Sequence, residues 1–250
     1  MRIRGVLFFL FIVIVFFLFA YYLSSFTGRV VENREIANVT NVIDGDTIEV
    51  RLGLVITKVR LLGINTPEKN MPGYQEAKDY LRQLEGKEVE LVKDKEDVDK
   101  YNRKLRFVFY DNEMINLEIL RRGLANYYSY GSSYDADLLE AEDSARVGEL
   151  GLWKKSGDKC ASCIILVNLD KGGQEGHTDD EQVIFGNICD FNCDMNGWTM
   201  KDDANHIYKF NNAVSAMSEF AINQKGVWND QGDSLFLRDK EGGLVIFWRY

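Results

Sequence analysis

Histidine is nearly missing from this chain: His177 and His206 are the only two in 250 residues. A His-rich metal centre is thereby excluded. Positive charge is also short. The net charge is −9, which argues against a protein that holds a polyanion by bulk basicity. The deficit is uneven. From Arg29 to Lys155 there are 20 basic and 24 acidic residues, whereas from Ser156 onward there are 8 and 15. Any anion site must therefore be a local arginine cluster in the first part. Charge of either sign is absent from residues 5–26, GVLFFLFIVIVFFLFAYYLSSF. That run exceeds the roughly 20 apolar residues that span a bilayer, and Ala20-Tyr21-Tyr22-Leu23 makes a poor cleavage site. Residues 1–27 are expected to be a transmembrane signal anchor, with a cleaved signal as the alternative. Arg2 and Arg4 precede the span, and Glu32 and Glu35 offset Arg29 and Arg34 after it. The positive-inside rule then puts the N-terminus in the cytoplasm and the rest outside the cell membrane, in a single-pass arrangement.

What is present is globular: 46% hydrophobic and 28% charged residues, enough length for one large domain or two modest ones. Three alternating strands are predicted at EIANVTNVI, TIEVRLG and VITKVRLLGI, with turns at Asp44-Gly45-Asp46 and Leu52-Gly53. A helix is predicted over 73–86, strands at 88–92 and 105–110 with a polar loop between them, a short helix after Asn116, and another at 134–147. This reads as an OB-type five-stranded β-barrel carrying three helices. After residue 156 helical periodicity fades and short strands with frequent turn signals predict an all-β, immunoglobulin-like sandwich, so the fold is β-rich with two domains. No internal repeat relates the halves.

The chemistry concentrates in VIDGDTIEV, VRLLGINTPE and VDKYNRKLRFVF. Asp46 at a hairpin turn beside the oxygen-rich pair Asn65-Thr66 suits a hard divalent cation. Glu68, on a loop stiffened by Pro67, is placed to take a proton from water. Arg60 and Arg103 offer planar donors to a phosphate and to the extra charge of its five-coordinate transition state. Singly, each has a plainer reading: a strand arginine is usually an exposed face residue, and DGDT can be only a turn with a threonine opening a strand.

These pieces, with EAKDYLRQL, INLEILRRGLA and AEDSARVGELGLW, occur in an order and spacing that resemble the staphylococcal nuclease (thermonuclease) family across residues 36–155. The resemblance implies a metal-dependent endonuclease that hydrolyses phosphodiester bonds of DNA or RNA with calcium, over a domain spanning 33–155. It implies Asp46 and the Thr66 carbonyl as metal ligands, Asp44 supporting the metal's water shell, Glu68 as general base, and Arg60 and Arg103 on the phosphate. It further implies Lys100 and Tyr101 beside the nucleotide phosphate, with Tyr127, Tyr128 and Tyr130 as a stacking surface or as packing aromatics. Two positions depart from the family. Asn65 stands where a second metal-ligating aspartate is usual, so weaker calcium binding or another divalent metal is expected. Asn102 replaces a glycine, which asparagine best imitates in a left-handed conformation. The contrasting reading is a catalytically inactive surface protein that tethers nucleic acid or cell-envelope polymer.

The stretches EQVIFGN, MNGWTMKDDANHIYKF and VWNDQGDSLFLRDKEGGLV and the terminal strand make residues 165–250 resemble the lamin-tail domain family, which implies a module that binds an envelope or protein partner and brings no catalytic residue. Trp198 and Trp228 read as core tryptophans and His206 as a strand residue. Four cysteines, Cys160-x-x-Cys163 and Cys189-x-x-x-Cys193, fit either a four-thiolate structural zinc site or two disulfides. Export favours oxidation.

Overall fold

The computed structural model describes residues 34–172, 181–229 and 232–250. The apolar segment at 5–26 lies outside these residues; among those described, no helix is long and apolar enough to cross a membrane. Residues 35–250 form one compact unit.

Strands β1 (Arg34–Val42), β2 (Thr47–Leu52) and β3 (Val55–Leu61) follow the predicted alternation, and a short β4 (Ile64–Asn65) succeeds them. Helix α1 (Tyr74–Arg82) buries Ala77 and Leu81. Then come β5 (Glu88–Val98), β6 (Lys104–Tyr110), β7 (Glu113–Met114), helix α2 (Ile115–Arg121), β8 (Asn126–Tyr127) and helix α3 (Asp135–Val147). The order β3-β2-β1-β5-β6 closes on itself because β3 also pairs with β6, in parallel, with Arg60 opposite Leu105. The result is a closed five-stranded barrel with three helices. Its core includes Ile48, Val50, Val59, Leu61, Leu91 and Phe107, all fully enclosed.

The polar stretch expected as a loop is instead the continuation of β5. A bulge between Lys93 and Val98 keeps it paired to β6, and its charge has an inward partner. Arg106 is fully buried on β6 and reaches Asp97 at 2.6 Å and Glu35 at 2.8 Å. The Arg106 hydrogen bond holds the Asp97 carboxyl below its usual range. A charged run can thus be strand when it compensates a buried arginine.

Beyond a 3-10 turn at Gly151–Trp153, the chain forms β9 (Ile164–Asp170), β10 (Glu181–Asn187), β11 (Cys193–Asp194), β12 (Thr199–Lys201), β13 (Ile207–Lys209), β14 (Ala213–Val214), β15 (Ser218–Gln224), β16 (Ser234–Arg238) and β17 (Leu244–Arg249). A three-stranded sheet, β15-β10-β9, and a four-stranded sheet, β13-β12-β16-β17, share a core of Val183, Phe185, Trp198, Met200, Leu235 and Leu237. Trp198 and Trp228 are buried. His206 precedes β13, with Nδ1 2.6 Å from Asp202 Oδ2.

The zinc expectation for the cysteines is corrected. Cys160 is bonded to Cys193 and Cys163 to Cys189, with Cα separations of 5.6 and 5.2 Å. With every sulfur in a disulfide, no thiolate remains to bind a metal. The bridges fasten the start of β9 to the turn after β10.

The two cores meet. Trp153 packs edge-on to Phe247 at 4.9 Å between ring centroids, beside Ala145 and Phe236. Fully buried Glu142 on α3 accepts the Tyr127 N–H and pairs with Arg249 of β17 at 2.6 Å.

Candidate functional site

The Asp44-Gly45-Asp46 turn is drawn tight by Asp44 Oδ1, which accepts the Asp46 N–H at 3.1 Å. A side chain at Gly45 would stand 2.6 Å from Ala77 and 2.9 Å from Thr66, so only glycine lets the turn sit this close to α1 and to the second turn. Antiparallel pairing sets Thr47 opposite Arg60, which brings the Arg60 Nε to 3.1 Å from Asp46 Oδ1. Thr66 closes the other side: its N–H and hydroxyl donate to Asp46 Oδ2 at 3.2 and 3.0 Å. The nearly buried Asp46 carboxylate is therefore the hub of the site.

Arg103 joins through Thr47. The Thr47 hydroxyl donates to Asp46 Oδ1 at 3.0 Å and accepts from Arg103 Nη1 at 3.3 Å. Asp99 shapes the loop that delivers Arg103, accepting the N–H groups of Tyr101 and Arg103 and the Arg103 Nε at 2.7 Å. Asn102 has φ +62°, a backbone conformation that asparagine tolerates and most residues do not. Thr47 and Asp99 were missed as site residues by the sequence reading. The T of DGDT was the available signal for the first; nothing local marked the second.

Arg60 and Arg103 also line an open groove of about 400 Å³ together with Lys100, Tyr101, Tyr128 and Tyr130. Tyr101 is 68% exposed, with the Lys100 and Arg103 cations 5.1 and 5.5 Å from its ring centre. An exposed aromatic flanked by two cations offers a stacking face and phosphate donors together. Tyr128 is exposed as well. Tyr127 is not part of this wall; it is half-buried, with Arg249 5.8 Å from its ring.

Glu68 stands apart. It is exposed, and among the described residues no hydrogen bond or ion pair ties it to Asp46, Arg60 or Arg103. Its neighbour comes from the second sheet region: Asn205 Nδ2 lies 3.5 Å from Glu68 Oε1. Asn65 is likewise engaged there, its Nδ2 donating to the Asp203 carbonyl at 2.7 Å. The amide oxygen of Asn65 is left as its acceptor.

For a metal, the relevant donors are all hard oxygens: Asp46, Asp44, the Thr66 carbonyl and the Asn65 amide. Asp44 is pushed up to about 6, first by burial and then by the neighbouring Asp46 charge. Two crowded carboxylates with that much surplus negative charge fit a divalent cation of the calcium or magnesium type. Among the described residues there is no cluster of three or more histidine, cysteine, aspartate or glutamate side chains fit to hold a metal, so the set is lean in charge.

Comparison with known proteins places these elements. Residues 58–155 match the model of the family described as staphylococcal nuclease homologue. The chain is 32% identical over 126 residues to the thermonuclease of Staphylococcus intermedius, covering 47% of this chain and 75% of that protein. It is 32% identical over 130 residues to the thermonuclease of Staphylococcus hyicus, covering 48% and 77%. It is 34% identical over 125 residues to the micrococcal nuclease of Shigella flexneri, covering 46% and 71%. Each match leaves about half of the chain uncovered.

Proposed function

Because the chain belongs to the staphylococcal nuclease homologue family, we propose that it hydrolyses phosphodiester bonds of nucleic acid at the groove beside Asp46. The observation that carries this reading is the continuous set of contacts Arg60–Asp46–Thr47–Arg103. It holds two guanidinium groups on a groove that Lys100, Tyr101, Tyr128 and Tyr130 also line, beside the carboxylates of Glu96 and Asp99.

In the proposed reaction the substrate phosphate is clamped by Arg60 and Arg103, whose planar donors match its oxygens and gain strength as charge builds in the transition state. Both arginines are already held by carboxylates, Asp46 and Asp99, so little ordering is needed on binding. Glu68 accepts the proton of the attacking water as the new phosphorus–oxygen bond forms and the ester bond breaks. Its exposed position suits a base that meets its water only with substrate present. Tyr101 and Tyr128 supply stacking faces for bases, without sequence preference. Asp46, Asp44 and the Thr66 carbonyl, with the Asn65 amide oxygen, are the residues that would hold a calcium ion; that ion supplies a concentrated positive charge for the phosphate.

The proposal extends to placement and to the second module. The uncharged run at 5–26 supports a membrane anchor with the enzyme facing outward. Two disulfides accord with an oxidising compartment. The pair of facing sheets supports a lamin-tail-like sandwich, whose outer surface would bind an envelope or protein partner.

The test is cleavage of labelled single-stranded DNA by the full chain in detergent, with calcium, with magnesium and with chelator, beside Glu68→Gln and Arg103→Ala. Metal-dependent cleavage that falls about 10²-fold or more in either variant is expected. Binding without metal-dependent cleavage would replace the nuclease by a tether.

A further inference from the structure

The turn that joins β2 to β3 is apolar. Leu52 pairs with Val55, so Gly53 and Leu54 alone make the turn, and Gly53 supplies a φ of +59°. Tight turns favour glycine, asparagine and aspartate. Here the second position is leucine, fully exposed, and Val55 and Ile56 after it are 63% and 57% exposed. Strand β1 adds a fourth side chain. Its Ala37 and Val39 lie in the barrel core while Ile36 faces out, 51% exposed. Asn38 lies opposite Arg51, and the same register carried toward the tip sets Ile36 opposite Gly53. A side chain at Gly53 would meet only open space, so nothing of the barrel covers this corner there.

None of these four side chains is needed to close the core. Single exposed apolar residues are ordinary, but a contiguous group at a projecting corner marks a contact surface. Two observations say what it meets. The first is connectivity. Strand β1 begins at Arg34, eight residues after Phe26, where the uncharged run 5–26 ends. Eight residues reach at most about 28 Å, and the hairpin tip lies at the end of the barrel where β1 starts. A bilayer that holds the uncharged run is therefore within reach of the tip. The second is depth. Ile56 pairs with Arg51, about two residues or ~7 Å behind Leu54 at the rise of a strand. Apolar segments lying in a membrane interface bury about 5–10 Å, so Arg51 falls at the level of the headgroups. It is exposed, and among the described residues it forms no ion pair. Its guanidinium suits a lipid phosphate. The acids behind the tip are answered: Glu35 is held by Arg106 and Lys104, and Glu49 stands opposite Lys58.

We propose that the tip Gly53–Ile56, together with Ile36, is a membrane contact that inserts into the interfacial layer of the bilayer, with Arg51 on the lipid phosphates. This rests on the proposed membrane anchor and adds a second point of attachment. One attachment lets the barrel swing on its linker; two hold it in one orientation over the lipid. The tip residues do not line the groove beside Asp46, so the contact leaves that site untouched.

The experiment is nitroxide accessibility on the full chain, reconstituted in nanodiscs of phosphatidylcholine and phosphatidylglycerol. Leu54→Cys and Glu113→Cys each carry the label. Glu113 is exposed and follows β6, which runs parallel to β3 and so away from the tip. Oxygen concentrates in lipid and a nickel chelate in water. At position 54 collisions with oxygen should exceed those with nickel, and at 113 the order should reverse. Val55→Asp combined with Ile56→Asp should move the label at 54 into water. Because both positions are exposed, the pair should leave the urea midpoint unchanged, along with DNA cleavage in detergent. Should a thiol at 54 disturb the disulfides, Val55→Cys gives the same reading. A label at 54 that meets nickel freely while the chain stays in the disc overturns the contact and leaves the anchor standing. A label shielded from both probes means that protein covers the tip, and overturns it as well. A chain that never enters the disc removes the anchor and the contact together.

Discussion

Asn65 donates its side-chain N–H to the backbone carbonyl of Asp203, 138 residues further along the chain, at 2.7 Å. A carbonyl oxygen only accepts, so an aspartate at position 65 would set a carboxylate against it. The contact gives the asparagine a reason of its own: it is the donor through which the second half of the molecule grips the turn that carries Thr66 and Glu68. Asn205, two residues beyond Asp203, approaches Glu68 on the same turn.

Asn65→Asp should therefore separate two properties. Loss of the donor, with a charge left facing a carbonyl, is expected to destabilise the fold by about 1–3 kcal/mol, read as a lower urea midpoint. The added carboxylate is expected to tighten calcium binding, read by calorimetric titration. If stability is unchanged, the contact with Asp203 does not fasten the two halves.

Glu142 is the second fastening. Its buried carboxylate takes the Tyr127 N–H on one oxygen and Arg249 on the other. Arg249 is raised in turn, burial being outweighed by Glu142. Glu142→Ala should leave a half-buried guanidinium without its counterion and cost about 3–5 kcal/mol. Tryptophan fluorescence, which reports on Trp153 at the junction and Trp198 in the sandwich, should then show two unfolding steps in place of one.

The parts legible in sequence were those whose partners are near in sequence or follow strand periodicity. Asp46, Arg60 and Thr66 were brought together by two turns and one hairpin, all written in local pattern. Arg106 was not legible, because an arginine within a strand reads as a surface residue until Glu35 and Asp97 are seen around it. The same pairing explains why KDKEDV is strand where polarity predicts a loop. The contacts of Asn65 and Glu68 with the 203–205 loop had no local signal: they depend on how two cores dock.

The disulfides give a third expectation. The bridge Cys163–Cys189 spans 26 residues and lies inside Cys160–Cys193, which spans 33. Either alone removes about 3.5 kcal/mol of loop entropy from the unfolded chain. Nesting makes the pair worth much less than twice that, since each bridge shortens the loop left to the other. Opening either by paired Cys→Ala substitution should cost well under half of what opening both costs. Urea midpoints of the three variants measure this directly; equal and additive losses would contradict it.

Asp203 gives the pH dependence. Burial is the main cause that pushes its carboxyl up to about 6, with Asp233 adding and Arg249 opposing, and its Oδ1 has no hydrogen-bond partner. The folded state thus holds the Asp203 proton more tightly than the unfolded chain, whose carboxyl titrates near 4. Between those values the native state binds more protons, so this group's contribution to stability falls as pH rises and is lost above about 6. Below about pH 4 both states are protonated and the contribution is fully present. Asp203→Asn removes the ionisable group while keeping its shape. Relative to wild type, the variant should gain about 2–3 kcal/mol at pH 7 and nothing at pH 4. Because other groups titrate alike in both proteins, the difference between their urea-unfolding free energies isolates this one. A difference flat from pH 4 to pH 7 would mean that Asp203 stays hydrated in the folded protein, and that the loop gripping Asn65 is less closed than its burial implies.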